Sequence, residues 1–346
     1  MDKVRLGVVG LGGIFQVRHR PALSHIPEAS IEMVADVDAD LARRTGEELH
    51  CRHTARYREV MRDPKIDAVF VCVPPFLHEE IAVDAALSRK HVLCEKPLAP
   101  TTAACDAIVR AAEKNRVKLM VAENWLFDPL TLLLRECVAD GRWGRLRRAR
   151  FFQGWSGPDQ PRFYKSPRPG RNGVFLEDGI HMIAMSRALL GPVRAVTATK
   201  RTLLPERSVR TGTVPSRVED DATATLELEG GTAVCEVTWL IQGGGLHCEF
   251  HFERASIAVS NPGWDKVRVD AVVRDAAGKI ADLELPPFGV RTPVSAQSYL
   301  NENEAFLRSV LDDTPSPYSG EEAREDVRIM ELIYDSTDQR KTLRAS

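Results

Sequence analysis

No stretch of this 346-residue sequence stays apolar for long. A membrane-spanning helix needs about 20 consecutive apolar residues, and the apolar opening from Val4 to Phe15 is broken by four glycines. That opening also lacks the small-residue cleavage pattern of a leader. Neither sign of charge is in excess: 47 Lys and Arg stand against 49 Asp and Glu, a formal net charge of −2. There is thus no electrostatic case for nucleic acid or an anionic membrane as partner. The densest basic stretch, Arg142 to Arg150, alternates with apolar residues and reads as the solvated face of a strand. Seven cysteines, odd in number and without CxxC spacing, argue against a disulfide framework and against a zinc site. Several lie in apolar runs, where cysteine acts as a small hydrophobe. The expectation is a cytoplasmic protein with reduced thiols and no metal. Repeats and low-complexity tracts are absent as well.

What is present is a change of grammar along the chain. Apolar runs at Val4–Val9, Ile31–Ala35, Ala68–Val73, His91–Cys94 and Leu119–Ala122 are almost uniformly apolar, as in strands buried on both faces of a parallel sheet. Helical spacing fills Asp40–Leu49, His78–Ser88 and Thr101–Asn115 between them, which predicts a doubly wound α/β domain. From about Leu146 the period becomes two. Asp221–Glu229, Thr232–Leu240, His247–Glu253 and Lys266–Val273 alternate polar with apolar or small residues, and Gly230-Gly231 turns the first into the second. That is the pattern of an antiparallel sheet with one buried face. Helices are predicted at Asp178–Leu190, stopped by Gly191-Pro192, at Asn301–Leu311, and from Ser319, where Ser-Gly-Glu-Glu322 forms a capping box. The fold expected is an α/β Rossmann domain over residues 1–124 followed by an α+β domain, residues 125–346, with an open, mainly antiparallel sheet. The join falls near Asn124–Pro129.

Chemistry enters at the ends of the apolar runs. Gly7-Val-Val-Gly10-Leu-Gly12-Gly13-Ile14-Phe15 follows a strand and opens a helix, with Gly10 and Gly12 in the first two places of GxGxxG. Such a turn lets the backbone approach a pyrophosphate resting on a helix N-terminus. Phe15 holds the third place, where glycine or alanine is usual. Asp36 ends the second strand, about 20 residues on, placed to accept from the adenosine ribose hydroxyls; Asp38 and Asp40 close by leave open a plain helix-start charge. A carboxylate there repels a 2′-phosphate, so NAD is expected in preference to NADP. Val73-Pro74-Pro75 with His78, then Glu95-Lys96-Pro97, and Asn124 complete the strand-end residues expected to line the cofactor crevice. A charged Glu-Lys pair adds nothing to a buried strand, so Lys96 reads either as a proton donor or acceptor for a substrate oxygen or as a surface lysine at a strand end. The second cluster is Gly173-Val-Phe-Leu-Glu177-Asp178-Gly-Ile-His181, with Glu177 and His181 four apart on one predicted helix face; histidine suits proton transfer near neutrality, or is here a satisfied helix histidine. Trp125, Arg162, Tyr164 and Lys165 are further candidates for substrate contact; a basic Pro-rich loop at 162–165 would suit an anionic group, or be an ordinary exposed loop.

Taken in order, these elements resemble the Gfo/Idh/MocA family of nicotinamide-dependent dehydrogenases over nearly the whole chain, including Glu123-Asn124 and the closing Ser319-Gly-Glu-Glu-Ala-Arg324. The resemblance implies a sugar or cyclitol hydroxyl oxidised, or the matching ketone reduced, with Lys96 and His181 as the acid/base pair and Glu177 beside them. It also implies homodimers or homotetramers built through the C-terminal sheet. Two positions depart from the family pattern: Glu177 stands where aspartate is usual, and Ala184 stands where many sugar and inositol dehydrogenases carry a further aspartate. The latter points away from inositol and towards a derivatised or nucleotide-linked sugar. The resemblance also admits an enzyme that keeps its NAD through transient oxidation followed by elimination or hydrolysis, and a non-catalytic dinucleotide sensor.

Overall fold

The computed structural model describes residues 3–164, 173–262, 268–275, 277–285 and 296–345. Two compact units emerge: residues 1–127 with 296–327, and residues 128–295 with 328–346.

In the first unit β1 (Val4–Val9), β2 (Ala29–Ala35), β3 (Arg52–Thr54), β4 (Ala68–Val71), β5 (His91–Glu95) and β6 (Leu119–Ala122) form one sheet in the order β3-β2-β1-β4-β5-β6. Every pairing in it is parallel. The uniform apolar runs have the cause expected of them, since β4 and β6 are buried at every residue. The helices are α1 (Arg20–Leu23), α2 (Ala39–Leu49), α3 (Tyr57–Arg62), α4 (His78–Leu87) and α5 (Thr102–Asn115). Asp38 caps α2 by accepting from the backbone N–H of Asp40 and Leu41 at 3.1 and 3.0 Å, which exposes the amide groups that a helix start leaves unpaired to a carboxylate. Thr101 does the same for α5. The strand expected to reach Val73 stops at Val71, because Pro74 and Pro75 carry no N–H for the ladder and lead instead into a 3-10 turn, Pro75–Leu77.

In the second unit α6 (Pro129–Asp140) precedes β7 (Leu146–Gly154), α7 (Ile180–Leu190) and β8 (Val193–Arg201). A small pair, β9 (Glu206–Val209) and β10 (Gly212–Pro215), stands apart. Then come β11 (Asp221–Leu228), β12 (Thr232–Thr238), β13 (Gly245–Phe252), β14 (Ala255–Pro262), β15 (Arg268–Arg274) and β16 (Ile280–Asp282). With the terminal β17 (Leu343–Arg344) they make a nine-stranded sheet in the order β16-β15-β14-β13-β7-β12-β11-β8-β17. All its pairings are antiparallel except β7 with β12. Alternation governs it: Leu246, Cys248, Phe250 and Phe252 of β13 are buried while the residues between them are half-exposed. The basic stretch supplies β7, whose Arg147 and Arg148 are exposed while Leu146 and Ala149 are buried.

The last helices are α8 (Ala296–Leu311) and α9 (Gly320–Gln339). The capping box closes reciprocally: Glu322 N–H donates to Ser319 Oγ at 3.3 Å and Ser319 N–H to Glu322 Oε2 at 2.8 Å. A division of the chain at residue 124 does not contain the return of residues 296–327 to the first unit. Side-chain bonding explains that return: Ser298 Oγ accepts from Asn124 Nδ2 at 3.1 Å, Phe127 O accepts from Asn301 Nδ2 at 2.9 Å, and Asp106 pairs with Arg324 at 2.6 Å. Among the described residues no helix is long and apolar enough to cross a membrane, and all seven cysteines are free thiols.

One buried cap makes stability depend on pH. Asp128 accepts from Leu130 N–H at 3.0 Å at the start of α6, yet burial, only partly offset by that bond, pushes its carboxyl up to about 7. The folded state therefore holds a proton that the unfolded chain releases near pH 3.8, and stability falls as pH rises between those values. Asp128→Asn keeps the cap and has no charge to bury. It is expected to leave Tm unchanged at pH 4 and to raise stability by a few kcal/mol, on the order of the pKa difference, at pH 8. Thermal melts at the two pH values check this; an equal effect at both would refute it.

Candidate functional site

In the first unit the candidate residues lie along the carboxyl ends of the parallel strands, the edge where such sheets bind ligands. Gly10 leaves β1 with φ +92°. A side chain there would meet the Cys72 carbonyl oxygen at 2.4 Å, so both backbone angle and close approach demand glycine. Gly12 and Gly13 are different: a Cβ at either meets nothing within 4 Å. The turn thus leaves open space beside bare backbone, which fits a pyrophosphate. Ile14 leads into a π-turn, Phe15–His19, whose wider winding carries the fully buried Phe15 ring. Asp36 is tied to this turn, with Leu11 N–H donating to Oδ2 at 2.7 Å and Asp38 N–H to Oδ1 at 2.9 Å. A carboxylate has about four accepting positions, so two remain for hydroxyl donors.

Further along the same edge, the Val73 and Pro97 carbonyl oxygens face His78 Nε2 and Nδ1 at 2.8 and 2.9 Å. Burial, outweighing those bonds, lowers the His78 pKa, and a neutral ring donates from only one nitrogen, so it bonds one of these two carbonyls; the Lys96-Pro97 peptide is cis. Lys96 is half-exposed at the end of β5. Glu95 before it is buried, which disfavours its charge, but His19 and then Lys96 and His78 outweigh burial and hold the carboxyl below its ordinary range. Asn124 and Trp125 are buried in a 3-10 turn just past β6, Asn124 on Ser298 as described.

In the second unit a π-turn, Phe175–Gly179, carries Glu177 and leads into α7, whose second residue is His181. The predicted single helix from Asp178 is therefore a π-turn followed by an α-helix. Asp178 anchors it. Its Oδ2 accepts from the indole N–H groups of Trp155 and Trp239 at 2.9 and 3.0 Å, and Oδ1 from Gln153 Nε2 at 2.8 Å. Glu219 lies beneath the segment: its backbone carbonyl accepts from Val174 N–H at 3.0 Å, and its carboxyl from the Tyr334 hydroxyl at 2.5 Å. Burial raises the Glu219 pKa despite those partners. A Cβ at residue 173 would fall 1.8 Å from the Glu219 carboxyl, so Gly173 is fixed by packing. His181 and Ala184 are buried and Glu177 half-exposed. Tyr164 is buried, its hydroxyl donating to Pro158 O at 2.7 Å and its ring edge-on to Trp239 at 5.6 Å. Arg162 belongs to the turn Pro161–Phe163, and Lys165 lies outside the described residues.

Several residues that hold this site had no signal in the sequence motifs. The motifs single out Glu177 and His181 and give Asp178 no site role, yet it carries three hydrogen bonds. His19 and Asn303 form a buried chain to Glu95; the helical spacing of polar residues 298, 302 and 303 was the one available hint. Among the described residues a groove of about 1040 Å³ lies elsewhere, lined by Arg20, Ser30, Glu32, His50, Cys51 and Arg52 among others. It touches the first half of β2 rather than the strand ends, and burial pushes the Cys51 thiol up to about 11, which keeps it protonated and unreactive.

Comparison with known proteins agrees with this geometry. Residues 4–123 match the model of an oxidoreductase family with an NAD-binding Rossmann fold, and residues 131–258 the GFO/IDH/MocA C-terminal domain. The dTDP-3,4-didehydro-2,6-dideoxy-alpha-D-glucose 3-reductase of Saccharopolyspora spinosa is 30% identical over 82% of each chain. The myo-inositol 2-dehydrogenase of Thermotoga maritima is 28% identical over 93% of this chain and 92% of its own. The levoglucosan dehydrogenase of Pseudarthrobacter phenanthrenivorans is 32% identical, but the match spans only 61% of this chain and 57% of that one. A solved levoglucosan dehydrogenase, in complex with NADH and L-sorbose, superposes with a TM-score of 0.88 at 22% identity over 100% of both chains, a likeness of fold. The chain is an enzyme of the Gfo/Idh/MocA family of NAD-binding oxidoreductases.

Proposed function

We propose that the protein transfers a hydride between NAD and the carbon of a secondary hydroxyl, or its matching ketone, on a sugar or sugar derivative. The observation that carries this reading is the strand-end edge of the first unit. There an open glycine turn, a carboxylate tied to that turn and a lysine after a buried glutamate all lie at carboxyl ends of one parallel sheet. Gly10, Gly12 and Gly13 with Ile14 would hold the pyrophosphate, Asp36 the adenosine ribose, and Val73, Pro74, Pro75, Glu95, Lys96 and Asn124 the remainder of NAD. When bound, NAD supplies the hydride acceptor.

The chain's own residues then handle the proton. Oxidation of a secondary alcohol removes a hydride from carbon and a proton from oxygen. His181 or Lys96 takes that proton, the other donates a hydrogen bond to the same oxygen, and Glu177 orients the imidazole. The arrangement runs backwards for ketone reduction. Trp125, Arg162, Tyr164 and Lys165 are proposed to shape the substrate pocket. Ala184 offers a methyl group where a further carboxylate would suit a free cyclitol, which favours a derivatised sugar; the 30% identical relative named for a dTDP-sugar supports this. The half-exposed face of the nine-stranded sheet is proposed to be covered by a second copy in a homodimer or homotetramer, and the free thiols suit the cytoplasm.

A panel of levoglucosan, inositols, hexoses, uronic acids and nucleotide sugars, with NAD and NADP read by reduced-nicotinamide absorbance, tests the reading. Oxidation of sugar derivatives faster than myo-inositol is expected. Lack of any NADH formation, with NAD retained through purification, would favour a cycle in which the hydride returns to product. Lys96→Ala is expected to cut kcat by about a hundredfold or more while NADH affinity, read by fluorescence, stays within severalfold. Wild-type turnover would remove Lys96 from the chemistry. Asp36→Ala is expected to weaken NAD binding about tenfold or more, the worth of hydrogen bonds to a charged group, with little loss for NADP. An unchanged NAD-to-NADP preference would dismiss the ribose role.

A further inference from the structure

The interior face of α8 is polar where a helix packed on a sheet is ordinarily apolar. Ser298, Glu302 and Asn303 are fully buried there, with Tyr299 and Phe306 beside them, at positions that share one side of a helix. Asn303 Oδ1 lies 2.9 Å from His19 Nδ1, and His19 Nε2 lies 2.8 Å from Glu95 Oε1. The second oxygen of the same carboxylate accepts the Lys96 backbone N–H at 3.1 Å. The rings of Phe70 and Tyr299 meet the imidazole edge-on at 5.6 and 5.5 Å, with interplanar angles of 89° and 85°. His19 is therefore fixed in position by two rings and in rotation by bonds to both nitrogens.

We propose that His19 is a positioning residue for Lys96: with Asn303 behind it, it locks the Glu95 carboxylate, and that carboxylate holds the backbone from which the Lys96 side chain projects. The inference rests on the reading of Lys96 as a proton-handling group. An ionised carboxylate only accepts, so Nε2–H donates to Glu95 whichever way the Asn303 amide is turned. Asn303 Nδ2 has no partner as placed, and a half-turn of that amide would bring it to Nδ1 instead. Among the described residues the buried surroundings of the pair include a further acid, Glu302. Glu302 has neither carboxyl oxygen hydrogen-bonded, and burial, with Glu95 and Glu123 adding to it, raises its pKa well above the carboxylate range. Without His19 the buried charge of Glu95 would lose its largest compensation, with only the weaker influence of Lys96 and His78 left, an imbalance that a shift of the side chain would relieve. Lys96 would then lose the contact that sets its backbone.

The test compares wild type, His19→Leu, His19→Gln, Asn303→Ala and Lys96→Ala, using the polyol of the panel above that forms NADH fastest. His19→Leu fills the same space without a donor; it is expected to lower kcat about ten- to a hundredfold, as misplacement of a reacting group does. KM and NADH affinity are expected to stay within about threefold. His19→Gln places an amide N–H near the Nε2 position and is expected to restore kcat to within about threefold of wild type. Asn303→Ala, which leaves the ring in place, is expected to lower kcat by a smaller factor, about threefold to tenfold. Wild-type kcat in His19→Leu, failure of glutamine to restore it, or NADH affinity falling in step with kcat would overturn the proposal. Should His19→Leu not fold, unchanged kcat in Asn303→Ala overturns it equally. An inactive Lys96→Ala beside a fully active His19→Leu sinks this inference alone. Full turnover in Lys96→Ala, or none by wild type across the panel, sinks the parent reading with it.

Discussion

Burying a carboxylate at the end of a parallel strand is the constraint around which the first unit is organised. Glu95 is 7% exposed, and an ion taken out of water must find compensation within hydrogen-bonding distance. The partner is His19, drawn from the π-turn after the glycine loop, and the partner of His19 is Asn303, drawn from a helix near the end of the chain. One charge therefore ties together the glycine turn, the catalytic candidate on β5 and α8. This accounts for residues 296–327 belonging with a Rossmann sheet that ended more than 170 residues earlier.

The second unit solves a similar problem with neutral donors. Asp178 is buried under a π-turn, and two indoles and an amide satisfy it instead of a cation. Indole N–H groups donate and do not accept, so the two rings and the amide fix the segment of Glu177 and His181 through Asp178. Each candidate segment runs into or contains a π-turn, Phe15–His19 and Phe175–Gly179, the kind of local widening that recurs at functional sites. Each opens on a buried phenylalanine, Phe15 or Phe175.

The departures from the family pattern can be set beside these anchors. Phe15, in the third place of the glycine motif, is the first residue of a π-turn and is fully buried. Glu177 is half-exposed while its neighbour Asp178 is buried, so the two adjacent acids divide into one that faces outward and one that holds the fold. Ala184 is buried on α7, a methyl group in a position where no charge needs compensation.

Local rules made much of this legible in the residues themselves. Uniform apolar runs gave the parallel strands, strict alternation gave β11 to β13, and Ser319 with Glu322 gave the start of α9, because each depends on neighbours within a few positions. The glycine turn was legible as a turn for the same reason, and the bonds from Leu11 and Asp38 that tie Asp36 to it span at most 25 positions. Beyond that reach, tertiary structure decided. The bonds from His19 to Glu95 and Asn303 join residues 76 and 284 positions apart, and the grip of Trp239 on Asp178 spans 61. No periodicity encodes such partners: a buried polar side chain is assigned one only when packing has removed water and left a single group within reach.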